Sequence, residues 1–511
     1  MRKSWLCLFA AAASCMAPGV QAKESPAGGH GCGDKSPKQC LELALDAMGG
    51  RDRLQQVKSV RLHTIGHTLL AEQSYRQEPF ITSYERGQTT LDLANQRMLK
   101  EARLTWPEAD SNQSDIDSTL IVGPDGGVHR TKDGDSPCSL GELEAAREML
   151  ALGPLSLLLT ASNAPDLHFE PPENVRSTLH TVLAFTWQKV PVRVLLNGFN
   201  HLPDAVETTQ EFRDFWYFWG DVRQRIYLDN WELFQGVIYP TNLVVERNGI
   251  IWRSTQVLNV EFNIPIDEKT LAMDMDAAKR SAASPGWNRA FRADKNTTLA
   301  PGVELFLGAW NSTIVKQSDG ILILEAPISG SYTQGVIEEA RKRYPGMPVK
   351  AVLSTSDSWP HFGGVRFAVA QDLPVYILDL NQPLLDKMVS APHSSDPDVI
   401  EKLRNFKPPR WKIVSVREKV GSDENGVELY PLRGASTERQ YMVYFRKWRL
   451  LYASDTLALH PDGTLYDPQL MNEVIQAVNR ENLEVDTVFA MHQGPTPWKQ
   501  VVALVEKAKR N

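Results

Sequence analysis

This sequence lacks an excess of positive charge, and long apolar runs are scarce in it. Its 511 residues carry a formal net charge of −7, with 42% hydrophobic and 23% charged residues, which is ordinary for a soluble globular protein. Because no basic stripe is present, the charge pattern argues against a nucleic-acid partner. Beyond residue 22 no segment contains roughly eighteen consecutive apolar residues, so we expect no transmembrane span in the mature chain.

The N-terminus is typical of a secretory signal peptide. Arg2 and Lys3 precede the apolar run "SWLCLFAAAAS", and a small-residue site follows that ends at Ala22. We predict that residues 1–22 are removed and that the protein is periplasmic or secreted. A lipid anchor at Cys15 is the alternative, although the leucine that usually stands three residues before such a cysteine is absent.

Cysteine is also scarce, with five in the whole chain. Cys7 and Cys15 fall in the predicted signal peptide. Cys32 and Cys40 could close the short loop "CGDKSPKQC" as a disulfide in an oxidising compartment, or they could remain two free thiols near the N-terminus. Cys138 is then left unpaired.

The periodicity of the chain changes twice, and we predict two folded parts. A helix is predicted at "CLELALDAMGG", ended by Gly49 and Gly50. Short alternating runs with Asn-Gly and Pro-Asp-Gly-Gly turns then extend to about residue 263, with one helical interruption at "SLGELEAAREMLALGPLSLLL". The predicted divisions are a signal peptide at 1–22, a β-rich domain at 23–265, a linker at 266–298 and a second domain at 299–511.

Five consecutive aromatic residues, "FWYFW" at 215–219, stand out in the first of these parts. Read as a strand, this aromatic segment would place rings on both faces of a sheet. One interpretation is an apolar binding surface. The other is a strand buried on both sides.

Five motifs occur in a fixed order after residue 298. They are "NSTIVKQSDGILILEAP", "VKAVLST", "HFGGVR", "RLLYASDTL" and "VDTVFAMHQGP". In this order they resemble the opening hairpin, the strand before the metal loop, the end of that loop, and the later strands with aspartate and histidine of the metallo-β-lactamase-fold hydrolases. That resemblance implies an αββα sandwich whose active site lies at one edge.

The fold class we predict is therefore α+β. A mostly antiparallel β domain comes first, and the αββα metallo-β-lactamase-like sandwich follows. The first domain loosely resembles the curved β-sheets of lipoprotein-carrier type, and this likeness implies architecture only. Such a sheet could hold an apolar ligand, present substrate to the second domain or mediate a contact.

The metal loop of the family reads His-x-His-x-Asp-His, and here most of its ligands are missing. The corresponding stretch is "SDSWPHFGG", with Ser356 and Ser358 at the first two histidines and Pro360 at the aspartate. A further histidine would fall at Ala435 or Ser436. Serine is a poor zinc ligand beside imidazole, and proline offers no carboxylate.

Three ligands of the family pattern remain, namely His361, Asp455 and His492. Two imidazoles and one carboxylate suffice for a single zinc ion with a water, whose pKa then drops to about 7. The resemblance implies His361, Asp455 and His492 as metal ligands, with Asp455 and His361 as the catalytic pair. We expect one zinc ion at most.

These residues leave two functional hypotheses open. The first is an exported hydrolase of an ester, amide or lactone, and the second is an inactive relative that binds a small-molecule ligand or a protein partner. A serine nucleophile at Ser358, with His361 or His492 as base, is a further possibility, although no "GxSxG" motif is present. His393, in "APHSSDPD", could lie at the edge of the cleft, but is interpreted as an ordinary residue of a polar loop.

Overall fold

The computed structural model describes residues 31–71, 80–106 and 115–509. The predicted signal peptide at 1–22 and the alternative anchor Cys15 lie outside the described residues. Cys32 and Cys40 form a disulfide, with their Cα atoms 5.5 Å apart. Cys138 is a buried free thiol. Among the described residues no helix is long and apolar enough to cross a membrane.

The first part of the chain builds one large antiparallel sheet. It contains thirteen strands in the order β6-β5-β4-β3-β2-β1-β13-β12-β11-β10-β9-β8-β7, so that two meanders join where β1 pairs with β13. The strands are β1 (Ser59–Leu69), β2 (Thr82–Asp92), β3 (Arg97–Thr105), β4 (Ile116–Gly123), β5 (Gly126–Thr131), β6 (Gly134–Pro137), β7 (His168–Val175), β8 (Thr178–Trp187), β9 (Val190–Asn197), β10 (Pro203–Gln210), β11 (Val222–Phe234), β12 (Val237–Arg247) and β13 (Ile250–Phe262).

Helices cover one face of this sheet. They are α1 (Pro37–Ala47), α2 (Arg51–Gln56), α3 (Leu140–Leu152) and α4 (Leu157–Asn163). Leu41 and Leu45 of α1 share a buried core with Leu143 of α3 and with strand residues such as Val60 and Leu62. The helix predicted at "CLELALDAMGG" is thus confirmed, and Gly49 and Gly50 follow it with positive φ angles of 114° and 96°.

One sequence interpretation needs correction in this part of the chain, whereas the linker at 266–298 stays a prediction. The predicted linker contains two helices, α5 (Glu268–Leu271) and α6 (Met275–Ala282), and the hydroxyl of Ser281 in α6 accepts the Gly127 N–H at 2.9 Å. The aromatic segment is not a strand. It forms a loop and a 3₁₀ turn, Tyr217–Trp219, because its rings pack against the second part of the chain in place of a neighbouring strand.

The second part of the chain contains two further sheets. The seven-stranded sheet runs in chain order from β14 to β20, and the six-stranded sheet from β21 to β26. The strands are β14 (Asn296–Ala300), β15 (Val303–Phe306), β16 (Ser312–Gln317), β17 (Gly320–Leu324), β18 (Val349–Leu353), β19 (Val375–Leu378), β20 (Trp411–Val414), β21 (Glu418–Val420), β22 (Val427–Pro431), β23 (Tyr441–Phe445), β24 (Leu450–Tyr452), β25 (Thr487–Phe489) and β26 (Thr496–Pro497).

The two sheets pack face to face, with helices on their outer sides. The helices are α7 (Gly330–Arg343), α8 (Val365–Ala370), α9 (Gln382–Val389), α10 (Pro468–Arg480) and α11 (Trp498–Ala508). Leu322 of β17 and Val443 of β23 share the inner core. The outer faces carry separate cores, one with Ile323 against Val336 of α7 and one with Tyr444 against Val474 of α10. This four-layer arrangement brings the loops after β18, β24 and β25 to one edge.

Candidate metal centre

The loop that leads to His361 starts where β18 ends. Residues 354–357 are buried although their side chains are polar, and a 3₁₀ turn, Trp359–His361, presents the imidazole before α8 begins. The two glycines that follow are required by close packing. A Cβ on Gly364 would stand 2.6 Å from the Ser329 carbonyl oxygen, and one on Gly363 would stand 2.5 Å from that of Ile328.

His361, Asp455 and His492 converge at this edge, although they are far apart in the sequence. Nε2 of His361 lies 3.2 Å from Oδ2 of Asp455, and Nε2 of His492 lies 3.2 Å from Oδ1 of the same carboxylate. One ligand atom from each of the three residues lies within 4.8 Å of the other two. Among the described residues this is the one such group of three or more potential ligands.

The spacing of these three side chains suits a small ion. Two ligand atoms of a tetrahedral zinc ion, each about 2.05 Å from the metal, stand about 3.3 Å apart. The two imidazole-to-carboxylate distances of 3.2 Å are close to that value. The two distances are therefore compatible with one ion, and each joins an imidazole to a different oxygen of Asp455.

His361 is held as a neutral imidazole. Its side chain is 1% exposed, and burial lowers its pKa to about 4 despite the opposing influence of Asp455. Nδ1 is buried and has no hydrogen-bond partner. The low pKa keeps the ring in the neutral form that a metal needs, and coordination through Nε2 would place the proton on the unpartnered Nδ1.

His492 is more exposed and is oriented by the backbone. Its Nδ1 lies 2.7 Å from the carbonyl oxygen of Ala309, which places Nε2 towards Asp455. Burial acts to lower the pKa of His492, but the hydrogen bond and charge of Asp455 outweigh it and the pKa is raised. Burial acts to raise the pKa of Asp455, but the two imidazoles outweigh this effect and the pKa of Asp455 is lowered.

Asn311 supports the loop that carries His492. Its Nδ2 donates to the Ala490 carbonyl at 2.9 Å, and its Oδ1 accepts the Gly308 N–H at 3.0 Å. The Asn311 N–H also donates to the Met491 carbonyl at 2.8 Å. This residue ties the segment that carries the Ala309 carbonyl to the segment that carries His492, and sequence reasoning missed it.

A buried glutamate lies behind the site and was also missed. Glu325 follows β17 directly and is fully buried, and its carboxyl accepts from the hydroxyl and N–H of Thr355 and from the Tyr452 hydroxyl at 3.2 Å. Burial raises the pKa of Glu325 to about 8, so the carboxyl is protonated at neutral pH. The Thr355 hydroxyl also contacts that of Ser454, at 2.7 Å, next to Asp455. The signal in the sequence is the acidic residue that ends the apolar run "ILILE".

The positions of the missing ligands are occupied by structural contacts. The Ser356 hydroxyl accepts the Ser358 N–H at 3.2 Å, and the Pro360 carbonyl accepts the Ile328 N–H at 2.7 Å. The Ser436 N–H donates to the Glu473 carboxylate at 3.1 Å. These side chains and backbone groups do not make a second ligand set, so the residues fit one metal and not two.

Other sequence hypotheses have mixed outcomes. Ser358 lines the same cavity as both imidazoles, and its role as a nucleophile stays a prediction. His393 is not an ordinary polar-loop residue, because it is 7% exposed and its Nδ1 lies 3.5 Å from Glu211. It lines a different cavity. His129 and His180 each pair with one carboxylate, Glu142 and Asp204 respectively, at 2.9 Å.

The aromatic segment packs against the loop that carries His361. Trp216 meets Trp359 edge to face, with ring centroids 4.8 Å apart, and Phe218 contacts the same ring at 4.9 Å. The Tyr217 hydroxyl donates to the carbonyl of Ile328, whose own N–H donates to Pro360. The first part of the chain thereby supports the site in the second part.

Comparison with known proteins gives no match to a family model and none to a curated protein. Among solved structures, the stereoselective inverting sec-alkylsulfatase Pisa1 from a Pseudomonas species aligns with 42% of this chain and 40% of its own, at 13% identity and a TM-score of 0.31. The chain thus spans about two fifths of that sulfatase.

Two further solved structures are metallo-β-lactamases, and nearly the whole length of each aligns with part of this chain. DIM-1 metallo-β-lactamase aligns over 43% of this chain and 99% of its own, at 15% identity and a TM-score of 0.34. A metallo-β-lactamase from Pontibacter korlensis aligns over 42% and 99%, at 15% identity and a TM-score of 0.33. These similarities extend over less than half of the present chain, and identities this low say nothing of its substrate.

Proposed function

We propose that the protein is an exported hydrolase of the metallo-β-lactamase fold that acts on an ester, amide or lactone with one metal ion. The observation that carries this proposal is the convergence of His361, Asp455 and His492, with both imidazole nitrogens 3.2 Å from the carboxylate. The five sequence motifs in family order and the two facing sheets support the same fold assignment. Residues 299–511 form the catalytic domain in this proposal.

Each of the three ligands has a distinct task. His361 supplies a neutral nitrogen from a buried position, and His492 supplies a second nitrogen whose direction is set by the Ala309 carbonyl. Asp455 contributes the negative charge that a divalent ion needs and bridges the two rings. An ion held there would lower the pKa of a water and polarise the carbonyl of a substrate.

Zinc is the metal we assign to the site. Two imidazoles and one carboxylate form a ligand set that zinc accepts, and these residues would hold the ion at the edge of the cavity. At most one ion is expected, because Ser356, Ser358 and Pro360 do not replace the ligands of a second one. Asp455 and His361 are the residues to which we assign catalytic roles.

Export is part of the proposal. The disulfide between Cys32 and Cys40 fits an oxidising compartment, and the N-terminal sequence pattern points to the periplasm or the medium. In this proposal the β-rich domain at 23–265 follows the removed signal peptide. It adjoins the catalytic domain through the aromatic segment and presents part of the substrate cavity.

A non-catalytic ligand-binding protein is the second candidate, and one observation favours it. Asp455 pairs with both imidazoles directly, so the cluster is electrostatically satisfied by its own residues. Pro360 also stands where a carboxylate would position the attacking water. The cavity would then serve to bind a small molecule or a partner segment.

Metal analysis of the purified mature protein tests the proposal. The protein is produced in medium supplemented with zinc, manganese and iron, and metal per chain is measured together with turnover of p-nitrophenyl butyrate. We expect about one ion per chain in the wild type and none in His492→Ala. His168→Ala is the matched control, because His168 is an exposed histidine on β7, remote from the cluster in the fold.

The outcomes separate the two candidates. Turnover that a chelator abolishes and zinc restores supports the hydrolase. A wild-type protein that takes up no metal from the supplemented medium contradicts it. Stoichiometric metal without turnover of esters, amides or lactones favours the ligand-binding alternative.

A further inference from the structure

The cavity in front of the cluster has an apolar wall from both parts of the chain. Its volume is about 360 Å³, which suits a small ligand. Trp106, at the end of β3, and the half-buried Phe215 of the aromatic segment come from the first part of the chain. Trp310 and Leu470 come from the second part. The wall therefore exists only where the two parts meet.

Two of these rings are held in place by neighbours. Phe215 packs against Trp287 with ring centroids 5.2 Å apart, and Trp310 packs against the same indole at 5.4 Å. Trp310 also contacts the His492 ring at 5.8 Å. The apolar wall is thus continuous with the side chains that carry the metal ligands.

The charged groups of the cavity are already paired. Asp357 accepts from Arg439 at 2.6 Å, and Asp455 is shared by the two histidines. Asp467 caps the N-terminus of α10 by accepting the N–H groups of Gln469 and Leu470. Among the described residues that line the cavity there is no lysine and no arginine. Among the described lining residues, a ligand carboxylate would meet three aspartates, and the only basic side chains are the two imidazoles that Asp455 already engages.

We propose that the site selects an uncharged substrate whose aromatic or aliphatic group lies on Trp106 and Phe215, next to the metal ligands. That the bound molecule is a substrate rests on the proposed function, whereas the argument for its binding does not depend on turnover. Desolvating an unpaired carboxylate is costly, whereas burying a ring on aromatic side chains is favourable. Neutral esters and lactones fit this description, and acids with a free carboxylate on the same group do not.

A pair of unreactive probes tests the selection. Butyrophenone is a neutral aryl ketone without a hydrolysable bond, and 4-butyrylbenzoate has the same skeleton with a carboxylate. Binding of both to the full chain is measured by saturation-transfer NMR and calorimetry, with and without chelator. We expect butyrophenone to bind at least about tenfold more tightly than the carboxylate in chelator-treated protein. Equal or reversed affinities would overturn the proposal.

Variants locate the binding to the apolar wall. Trp106→Ala and Phe215→Ala should each weaken butyrophenone binding by about fivefold or more. Leu233→Ala is the control, because Leu233 is an apolar residue of the same sheet that is 70% exposed and outside the cavity. Unchanged affinity in both cavity variants would contradict the proposal. If either variant fails to fold, Phe215→Lys replaces it as the test. The added cation should shift the ratio of the two probe affinities towards 4-butyrylbenzoate by at least about tenfold, and an unchanged ratio would contradict the proposal.

The design separates this inference from the proposed function. Selective binding of butyrophenone by a protein that holds no metal supports the inference and contradicts the hydrolase. One metal per chain with ester turnover, but no preference between the probes after chelator treatment, supports the hydrolase and overturns the inference.

Discussion

The cluster of His361, Asp455 and His492 contrasts with the loop at 354–360, although both lie at the same edge of the sandwich. The cluster keeps residues that can bind a metal, and its outer contacts orient them. The loop has serines and a proline where ligands would stand, and its polar groups bond to Glu325 and to the backbone. The difference teaches that hydrogen bonds, an ion pair and aromatic packing can fix this loop, so the three candidate ligands keep their geometry although the other ligand types are absent.

The largest effect is expected at Asp455 in the cluster, and Asp357 in the loop at 354–360 is the residue for comparison. Asp455→Asn removes the carboxylate shared by the two imidazoles, and we expect metal affinity to fall by more than about 100-fold. Asp357→Asn leaves Arg439 without its carboxylate, and should lower the free energy of unfolding by about 1–3 kcal/mol with unchanged metal stoichiometry. Metal competition and urea unfolding measure the two quantities. Loss of metal in Asp357→Asn alone would reverse the comparison.

Glu325 is the residue through which the loop is held, and its variants should differ sharply. Glu325→Ala leaves the Thr355 and Tyr452 hydroxyls without their acceptor and should cost about 2–4 kcal/mol of unfolding free energy. Glu325→Gln resembles the protonated carboxyl and should fold nearly as well as wild type at pH 7. Thermal and urea unfolding give the comparison. Equal destabilisation by both substitutions would argue against a neutral Glu325.

The protonation of Glu325 also predicts a pH dependence. Its pKa is about 8 in the folded protein and near 4.5 in the unfolded chain, so the unfolded state releases a proton between these values while the folded state keeps it. The stability of wild type relative to Glu325→Gln should therefore be highest below pH 4.5, fall as pH rises towards 8, and level off above it. Urea unfolding at several pH values measures this difference, and Glu424→Gln, at an exposed glutamate, serves as control.

A smaller effect is expected at the support of His492. Asn311→Ala removes hydrogen bonds that hold the segments of Ala309 and His492 together, and should weaken metal binding by about tenfold. Asn425→Ala is a matched control, because its buried amide donates to the Pro301 and Lys316 carbonyls at 2.8 Å, away from the cluster. Both variants should lose stability, and only the first should lose metal affinity in a chelator competition.

The smallest effect is expected from the serines of the loop. Ser356→Ala and Ser358→Ala should leave metal content within about twofold of wild type, because neither hydroxyl is a good zinc ligand. Loss of the Ser356 hydroxyl should cost about 1 kcal/mol through its bond to the Ser358 N–H. Abolished ester turnover in Ser358→Ala with retained metal would instead favour the serine nucleophile.

Local patterns predicted much of the secondary structure. The helix before Gly49 and the strands around residues 59–263 follow from periodicity, which depends on near neighbours in the chain. The interpretation of the aromatic segment as a strand is wrong, because five consecutive rings fit a strand when only local sequence is considered. Its actual turn depends on Trp359, more than a hundred residues away.

The sequence by itself determined which residue types are present for the chemistry, namely the imidazoles of His361 and His492, the carboxylate of Asp455, and the serines and proline of the loop. Only the tertiary structure decided that the first three meet, that Glu325 is neutral and that Trp106 and Phe215 form one wall of the cavity. The physical reason is that distances between remote residues and the pKa shifts caused by burial arise from packing, which neither local periodicity nor motif spacing contains.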